Sequence, residues 1–395
     1  MPNNRIYLDH NATTPLDPEV KRHLSEWAEL FGNPSSIHWG GRGPKTAMRD
    51  ARKHFAAMIG GDPLEIVFTS GGSEANNLAI KGVFYTRPKE RNHYLFSSVE
   101  HPSVTQAMDF LRRQGAEVEV FDVGFHGALD LDLFKSKLRP TTALVSCMLA
   151  NNETGAVFPV RKMAKLAHEA GALFHSDCVQ ALGKISFDVK SLGVDLASFS
   201  GHKFYSLKGA GALYARKGLT IEPLIHGGGQ ERHRRAGTEN TLAIAALGHM
   251  ATKATLVRAK GEELARLRDR FEAAILERIP GAHVTSKDVQ RLPNTSSLVL
   301  DGVEGETLLM NLDMEGFAVS TGAACSSGSP EPSPTLLAMG LTRREAQSSL
   351  RVSFGWQTTD AQVDEFIETL VRVVARQRRF TAAESQREAP SAALQ

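Results

Sequence analysis

The sequence predicts an α/β protein with a large unit built on a mostly parallel central sheet and a smaller C-terminal α/β unit. Three observations carry this expectation. Short apolar runs alternate with helical stretches between residues 63 and 217. The runs are almost continuously apolar, as strands buried on both faces must be. After a long helical region, a second and shorter set of strand and helix patterns begins.

Taken in order, "EIVFTS" (65–70), "HYLFSSV" (93–99), "EVEVFDV" (117–123), "TALVSCML" (142–149), "ALFHSD" (172–177) and "VDLASFS" (194–200) read as strands. Between them, "VRKMAKLAHEAG" (160–171) carries apolar residues three or four apart, which is one face of a helix. Residues 241–280 are helical in period throughout, and Pro280 ends them. "TSSLVLDG", "GETLLMNLDMEG", "FAVST", "SLRVSFGW" and the amphipathic "DAQVDEFIETLVRVVARQRR" then make up the small unit. The expected division is an N-terminal segment 1–15 packing with the small domain, a large domain 16–257, a small domain 258–380 and a fraying tail 381–395.

Composition bounds the function. Of 395 residues, 42% are hydrophobic and 23% charged, so the core needs no disulfide or structural metal. A net charge of +2 gives no basic surface for nucleic acid. No segment reaches the roughly 18 apolar residues of a membrane helix. The opening "MPNNRIYLDHNATTP" lacks the pattern of a targeting peptide, so a cytoplasmic protein is expected. The three cysteines, Cys147, Cys178 and Cys325, form no CxxC pair.

Ligands of open α/β sheets sit beyond the carboxyl ends of the strands. Polar clusters stand at five such ends: Gly71-Gly72-Ser73-Glu74, Glu100-His101-Pro102, Asn151-Asn152-Glu153, Asp177 with Gln180, and Ser200-Gly201-His202-Lys203. Singly, each has a plain alternative. The glycine turn could be an ordinary strand-to-helix corner with Ser73 as N-cap. Asp177 could cap a helix, and His101 could be a satisfied core histidine. Lys203 is harder to dismiss, because a lysine at the end of a buried strand is seldom held inside without a partner. Pyridoxal phosphate needs a lysine for its aldehyde, a carboxylate for its ring nitrogen, a phosphate cradle and a planar group on its face.

At this point the chain resembles the cysteine desulfurases of the NifS/IscS type, within the class-V aminotransferase family of fold-type I pyridoxal phosphate enzymes. "YLDHNATTP", "FGNPSSIH", "IVFTSGGSEANNLAIKG", "VEHPSV", "NNETG", "SGHKFY", "HGGGQERHRRAGTEN", "STGAACSSGSPEPS" and "SSLRVSFG" match family blocks in order over nearly the whole chain.

The resemblance implies that Lys203 forms the internal aldimine, His101 stacks on the ring and moves protons, Asp177 pairs with the ring nitrogen and Gln180 bonds the ring hydroxyl. It gives Gly72, Ser73, Ser200 and His202 to the phosphate, joined across a homodimer by Thr238. Asn152 lies where the family contacts cofactor and substrate, and Arg351 where it binds the substrate carboxylate. Cys325, in a Gly/Ser/Pro-rich run, would receive sulfur from L-cysteine as a persulfide and pass it to an acceptor such as an iron–sulfur scaffold. No metal, nucleic acid or membrane partner is implied. The rivals are a selenocysteine lyase or another class-V lyase or transaminase, and a non-catalytic sulfur carrier. Three departures from the family pattern stand out: Ser206-Leu207 where Gly-Pro is usual, His233 for Gly, and Trp356-Gln357 for Arg-Phe.

Overall fold

The structure is a computed structural model that describes residues 5–321 and 331–388. Its strands are β1 (Ile6–Tyr7), β2 (Ile66–Thr69), β3 (His93–Ser97), β4 (Glu117–Phe121), β5 (Thr142–Ser146), β6 (Leu173–Asp177), β7 (Leu196–Ser200), β8 (Gly211–Ala215), β9 (Ala282–Val284), β10 (Thr295–Leu300), β11 (Phe317–Ala318) and β12 (Ser349–Ser353). Seven of them make the central sheet, in the order β2-β8-β7-β6-β5-β3-β4. The pairs from β4 to β7 are parallel, whereas β8 runs antiparallel to both β7 and β2.

Successive side chains of a strand point to opposite faces, so a strand covered on both sides feeds two cores. Phe68, Leu95, Val145 and Phe174 enter one core. Val67, Tyr94, Leu144 and Leu173 enter the other, against the helices Gly72–Thr86 and Pro102–Arg113. β4 lies at the edge and is only partly buried, with Glu117 and Glu119 paired to Arg139. Charge on an edge strand blocks further pairing.

The smaller unit holds the antiparallel sheet β12-β10-β9. Its core takes Leu298, Leu350 and Val352 together with Leu267, Phe271 and Ile275 of the helix Val257–Arg278 and Phe366 and Leu370 of the last helix. Ile6 and Leu8 join this core, and β1 pairs with β11. Among the described residues no helix is long and apolar enough to cross a membrane.

Three expectations change. The helical stretch 241–280 is two α-helices, Thr241–Ala251 and Val257–Arg278, joined through a 3₁₀ segment at Thr252–Leu256. β8 was not expected, because its "KGAGALY" surroundings read as a glycine-rich turn. The last helix runs to Glu388, so residues 381–388, expected to fray, are helical; residues 389–395 lie outside the described residues.

The departures from the family pattern fall in two places. Trp356 packs on Tyr205, with ring centroids 4.9 Å apart, and its backbone N–H donates to the Tyr205 hydroxyl at 2.8 Å. Leu207 and Trp356 both lean on the large core. The changes at 206–207 and 356 therefore border one contact between the turn after Lys203 and the strand end of the small unit. His233 has φ 63°, after Glu231 and Arg232 at 47° and 57°. Such a left-handed run costs each non-glycine residue about 1–2 kcal/mol. The Glu231 carboxylate holds it, accepting from Arg52 and from the Phe68 N–H.

Candidate active site

Four strand ends of the central sheet converge on a cavity of about 310 Å³. β6 delivers Asp177 and β7 delivers Ser200, followed by His202 and Lys203. The turn after β3 delivers His101, and the turn after β2 delivers Gly72 and Ser73. Asn152, Gln180 and Arg351 complete the wall, with Arg351 reaching in from β12 of the small unit.

Glycine is required at two points around this cavity. A Cβ on Gly211 of β8 would lie 2.6 Å from the backbone of Gly71 and from the Phe199 carbonyl oxygen. A Cβ on Gly72 would lie 2.8 Å from the Val179 side chain, and so would fill the space between the ends of β6 and β7. The helix Gly72–Thr86 starts there with Gly71, not Ser73, as its cap, and Gly71 has no side-chain acceptor for the first-turn amides. An open helix start lined by small residues suits an anion.

Lys203 stands opposite. Its Nζ donates to the carbonyl oxygens of Asn11 and Ala12, both at 2.6 Å. Those carbonyls belong to the N-terminal segment, which continues around the site. Thr13 meets His202 Nδ1 at 3.0 Å, and Thr14 Oγ1 donates to the His202 carbonyl at 2.9 Å. Residues 11–14 thus run along the cavity, while Ile6 and Leu8 pack in the small core. Burial, with Lys203 and Lys208 adding positive charge, pushes the His202 imidazole down to about 4, so it is neutral at physiological pH.

His101 caps the helix Pro102–Arg113: its Nδ1 accepts from the Ser103 backbone N–H at 3.1 Å. A ring nitrogen that accepts carries no proton, which assigns the proton of the neutral ring to Nε2. Burial is the main reason that this imidazole titrates below its ordinary value, partly offset by Asp177. Asn76 ties the two together, donating to Asp177 Oδ2 at 2.7 Å and to Ser103 Oγ at 2.8 Å. The other Asp177 oxygen accepts from the Val179 N–H at 2.9 Å. Asp177 is therefore a buried carboxylate fixed in orientation by neutral donors, with no cation bonded to it among the described residues.

Arg351 is 3% exposed. It donates to Asp9 Oδ1 at 2.7 Å and to the Asn152 carbonyl at 3.1 Å, and among the described residues its buried Nε has no acceptor. A guanidinium with an unsatisfied buried donor at a cavity wall is suited to a carboxylate.

Behind His101, Glu100 is fully enclosed, accepting from Ser97 Oγ at 2.6 Å and from the Met148 N–H at 2.7 Å. Burial, and then the Asp177 charge, push its carboxyl from 4.5 up to about 8. The folded chain keeps a proton that the unfolded chain sheds above about pH 4.5. The stability this confers is complete below that pH and is lost as pH rises towards 8, by at most about 1.4 kcal/mol per pH unit. Glu100→Gln cannot titrate. In urea titrations its stability relative to the wild type is therefore expected to improve steadily from pH 5 to pH 8. A constant difference would refute the assignment.

One anticipated residue, Thr238, is not among those lining the cavity. Thr238 is exposed and borders a separate depression with Ser70 and Arg235. Cys325 lies outside the described residues. Cys147 and Cys178 are fully buried, and burial pushes both thiols up. The sequence reading assigned no role to Asp9, Asn11, Asn76 or Lys184. Asp9 and Asn11 stand in "YLDHNATTP" and Asn76 in "SGGSEANN", blocks already noted, whereas nothing local distinguishes Lys184.

The profile described as "Aminotransferase class-V" matches residues 6–366. A "Cysteine desulfurase" of Trichormus azollae is 44% identical over 375 residues, covering 94% of this chain and 94% of that protein. A "Cysteine desulfurase IscS" of Dictyoglomus turgidum is also 44% identical over 375 residues, covering 94% of this chain and 95% of that protein. Among solved structures, a "NifS-like protein" superposes with a TM-score of 0.89 at 34% identity, over 94% of this chain and 100% of that one. "SspA in complex with cysteine" gives 0.78 at 33% identity, over 89% and 99%.

Proposed function

The chain belongs to the class-V aminotransferase family, whose cofactor is pyridoxal 5'-phosphate, and from that premise we propose that it is a cysteine desulfurase which turns L-cysteine into L-alanine and takes up the sulfur as a persulfide on Cys325. The observation that carries this reading is the gathering of Lys203, a buried Asp177 held by neutral donors, His101 and Arg351 around one cavity.

The residues present fit the cofactor. The open start of the helix Gly72–Thr86, with Ser73, Ser200 and His202, would hold the phosphate; Asp177 would hold a protonated ring nitrogen; Gln180 would donate to the ring oxygen. When bound, the cofactor supplies an aldehyde for amines and a sink for the electrons left by the Cα proton.

The chain's own groups do the rest. Lys203 Nζ would be the amine that holds the cofactor's aldehyde and, when free, would serve as a base. His101 Nε2 holds a proton that it can give and take back, because its Nδ1 is fixed by Ser103. Arg351 and Asn152 orient the substrate through its carboxylate. The sulfur acceptor on the enzyme must be a reachable thiolate. The burial of Cys147 and Cys178 supports giving that role to Cys325.

The same reading makes the active enzyme a cytoplasmic homodimer in which Thr238 reaches the phosphate of a second copy, and gives the sulfur to an acceptor protein such as an iron–sulfur scaffold. The exposure of Thr238 supports the first point, as do the exposed Phe31, Ile37 and Trp39, at 78%, 97% and 75%.

Arg351 provides the test. Arg351→Gln is expected to lower kcat/KM for L-cysteine on the order of 10²-fold, since a charge-assisted contact is lost. Cysteamine, which has no carboxylate, should be a poor substrate for the wild type and no poorer for the variant. Equal turnover of cysteamine and L-cysteine by the wild type would reject the assignment.

A further inference from the structure

Below the cavity lies a second lysine that the scheme above leaves unused. Lys184 is 6% exposed, and its Nζ donates to Asn11 Oδ1 at 2.8 Å and to Gln180 Oε1. Both acceptors are amides that touch the site. Asn11 gives its carbonyl to Lys203, its Nδ2 to the Asn152 carbonyl at 3.1 Å and to Thr295 Oγ1 at 2.9 Å, and accepts at Oδ1 from Asn294 at 3.1 Å. Gln180 donates from Nε2 to the Asn11 carbonyl at 3.0 Å and lines the cavity.

An amide can turn over, exchanging its oxygen and its NH₂ at almost no steric cost, so its neighbours decide which end faces where. Asn11 is held by the Asn152 carbonyl and by Asn294 as well as by Lys184, whereas Gln180 is held by Lys184 at its oxygen and by the Asn11 backbone carbonyl at its NH₂. Burial, with Lys203 and Arg351 close by, holds Lys184 well below the usual lysine range, yet the choice does not depend on its charge. An ammonium has three N–H donors and no acceptor. A neutral amine still has two N–H donors, enough for both amide oxygens. The donor arrangement seen here is therefore open to Lys184 in either form.

The NH₂ group of Gln180 then has to face the other way. It has two hydrogens, one of which goes to Asn11, and the second is left for a ligand in the cavity. With the opposite orientation, the Gln180 oxygen would face the Asn11 carbonyl oxygen, and the cavity would lose a donor.

We infer that Lys184 is a positioning residue: together with the Asn11 backbone carbonyl it sets the orientation of the Gln180 amide, so that Gln180 keeps an N–H donor for an oxygen of the bound cofactor. This rests on the cofactor reading above and adds to it a residue that does not itself border the cavity.

The test is a double-mutant cycle on the binding of pyridoxal 5'-phosphate to the cofactor-free full chain, followed by visible absorbance. Lys184→Met, close in volume and without donors, is expected to weaken binding about tenfold, the size of a lost hydrogen bond to a polar anchor. Gln180→Leu should weaken it comparably. The double variant should be no weaker than Gln180→Leu alone, because Lys184 acts through Gln180. Lys184→Gln, which keeps a donor on a shorter stem, should lose less and show the same non-additivity, and it serves if Lys184→Met does not fold. Unchanged binding in Lys184→Met, or losses that add, would overturn the inference while leaving the cofactor reading intact. A wild type that stays colourless with added pyridoxal phosphate would overturn the cofactor reading and this inference together.

Discussion

Lys203→Ala is expected to give a folded protein without the yellow colour of the wild type and with turnover of L-cysteine reduced on the order of 10³-fold or more. The size follows from losing nucleophile and base in one side chain, each of which contributes strongly to catalysis. Folding should survive, because Lys203 is half-buried at the cavity edge and its bonds to Asn11 and Ala12 go to backbone carbonyls that can take water. The cofactor should still bind without a covalent link, held by Asp177 and the helix start at Gly72. Lys208, five residues on and exposed, is the control, and Lys208→Ala should keep both colour and activity. A Lys203→Ala protein with the wild-type absorbance band would show that another amine carries the cofactor.

The parallel strands were legible because burial on both faces gives most of them a run of apolar residues, β4 at the edge being the exception, and the candidate sites were legible because polar residues crowd where those strands stop. Asp177, Ser200 and Lys203 needed only that rule. β8 was not legible: Gly211 is there to pass within contact of Gly71, a requirement set by a residue 140 positions away in the chain. Asn11 and Lys184 failed for the same reason, since the bond between them spans 173 residues and neither sits at a strand end. The break at Thr252–Leu256 has no proline or glycine to announce it. Arg351 was found through family resemblance alone; in the sequence it is one polar residue of "SLRVSFG", and only the approach of the small unit to the large one brings it to the cavity wall.

The proposed chemistry turns on Cys325. Two of the three thiols are enclosed and held in the protonated form by burial, and a protonated thiol is a poor nucleophile towards sulfur. Cys325→Ala is therefore expected to stay yellow and to bind L-cysteine, with its absorbance changing on mixing, yet to release almost no alanine. On the proposed route the sulfur leaves cysteine only when a thiolate takes it, and the Cα fragment then departs as alanine. The most direct measurement is alanine formed by wild type and by Cys325→Ala from L-cysteine, together with the mass of the peptide that contains Cys325 in wild type treated without reductant. The account predicts alanine from the wild type, little from the variant, and one extra sulfur on the Cys325 peptide. Undiminished alanine from Cys325→Ala, or the extra sulfur on Cys147 or Cys178, would contradict it.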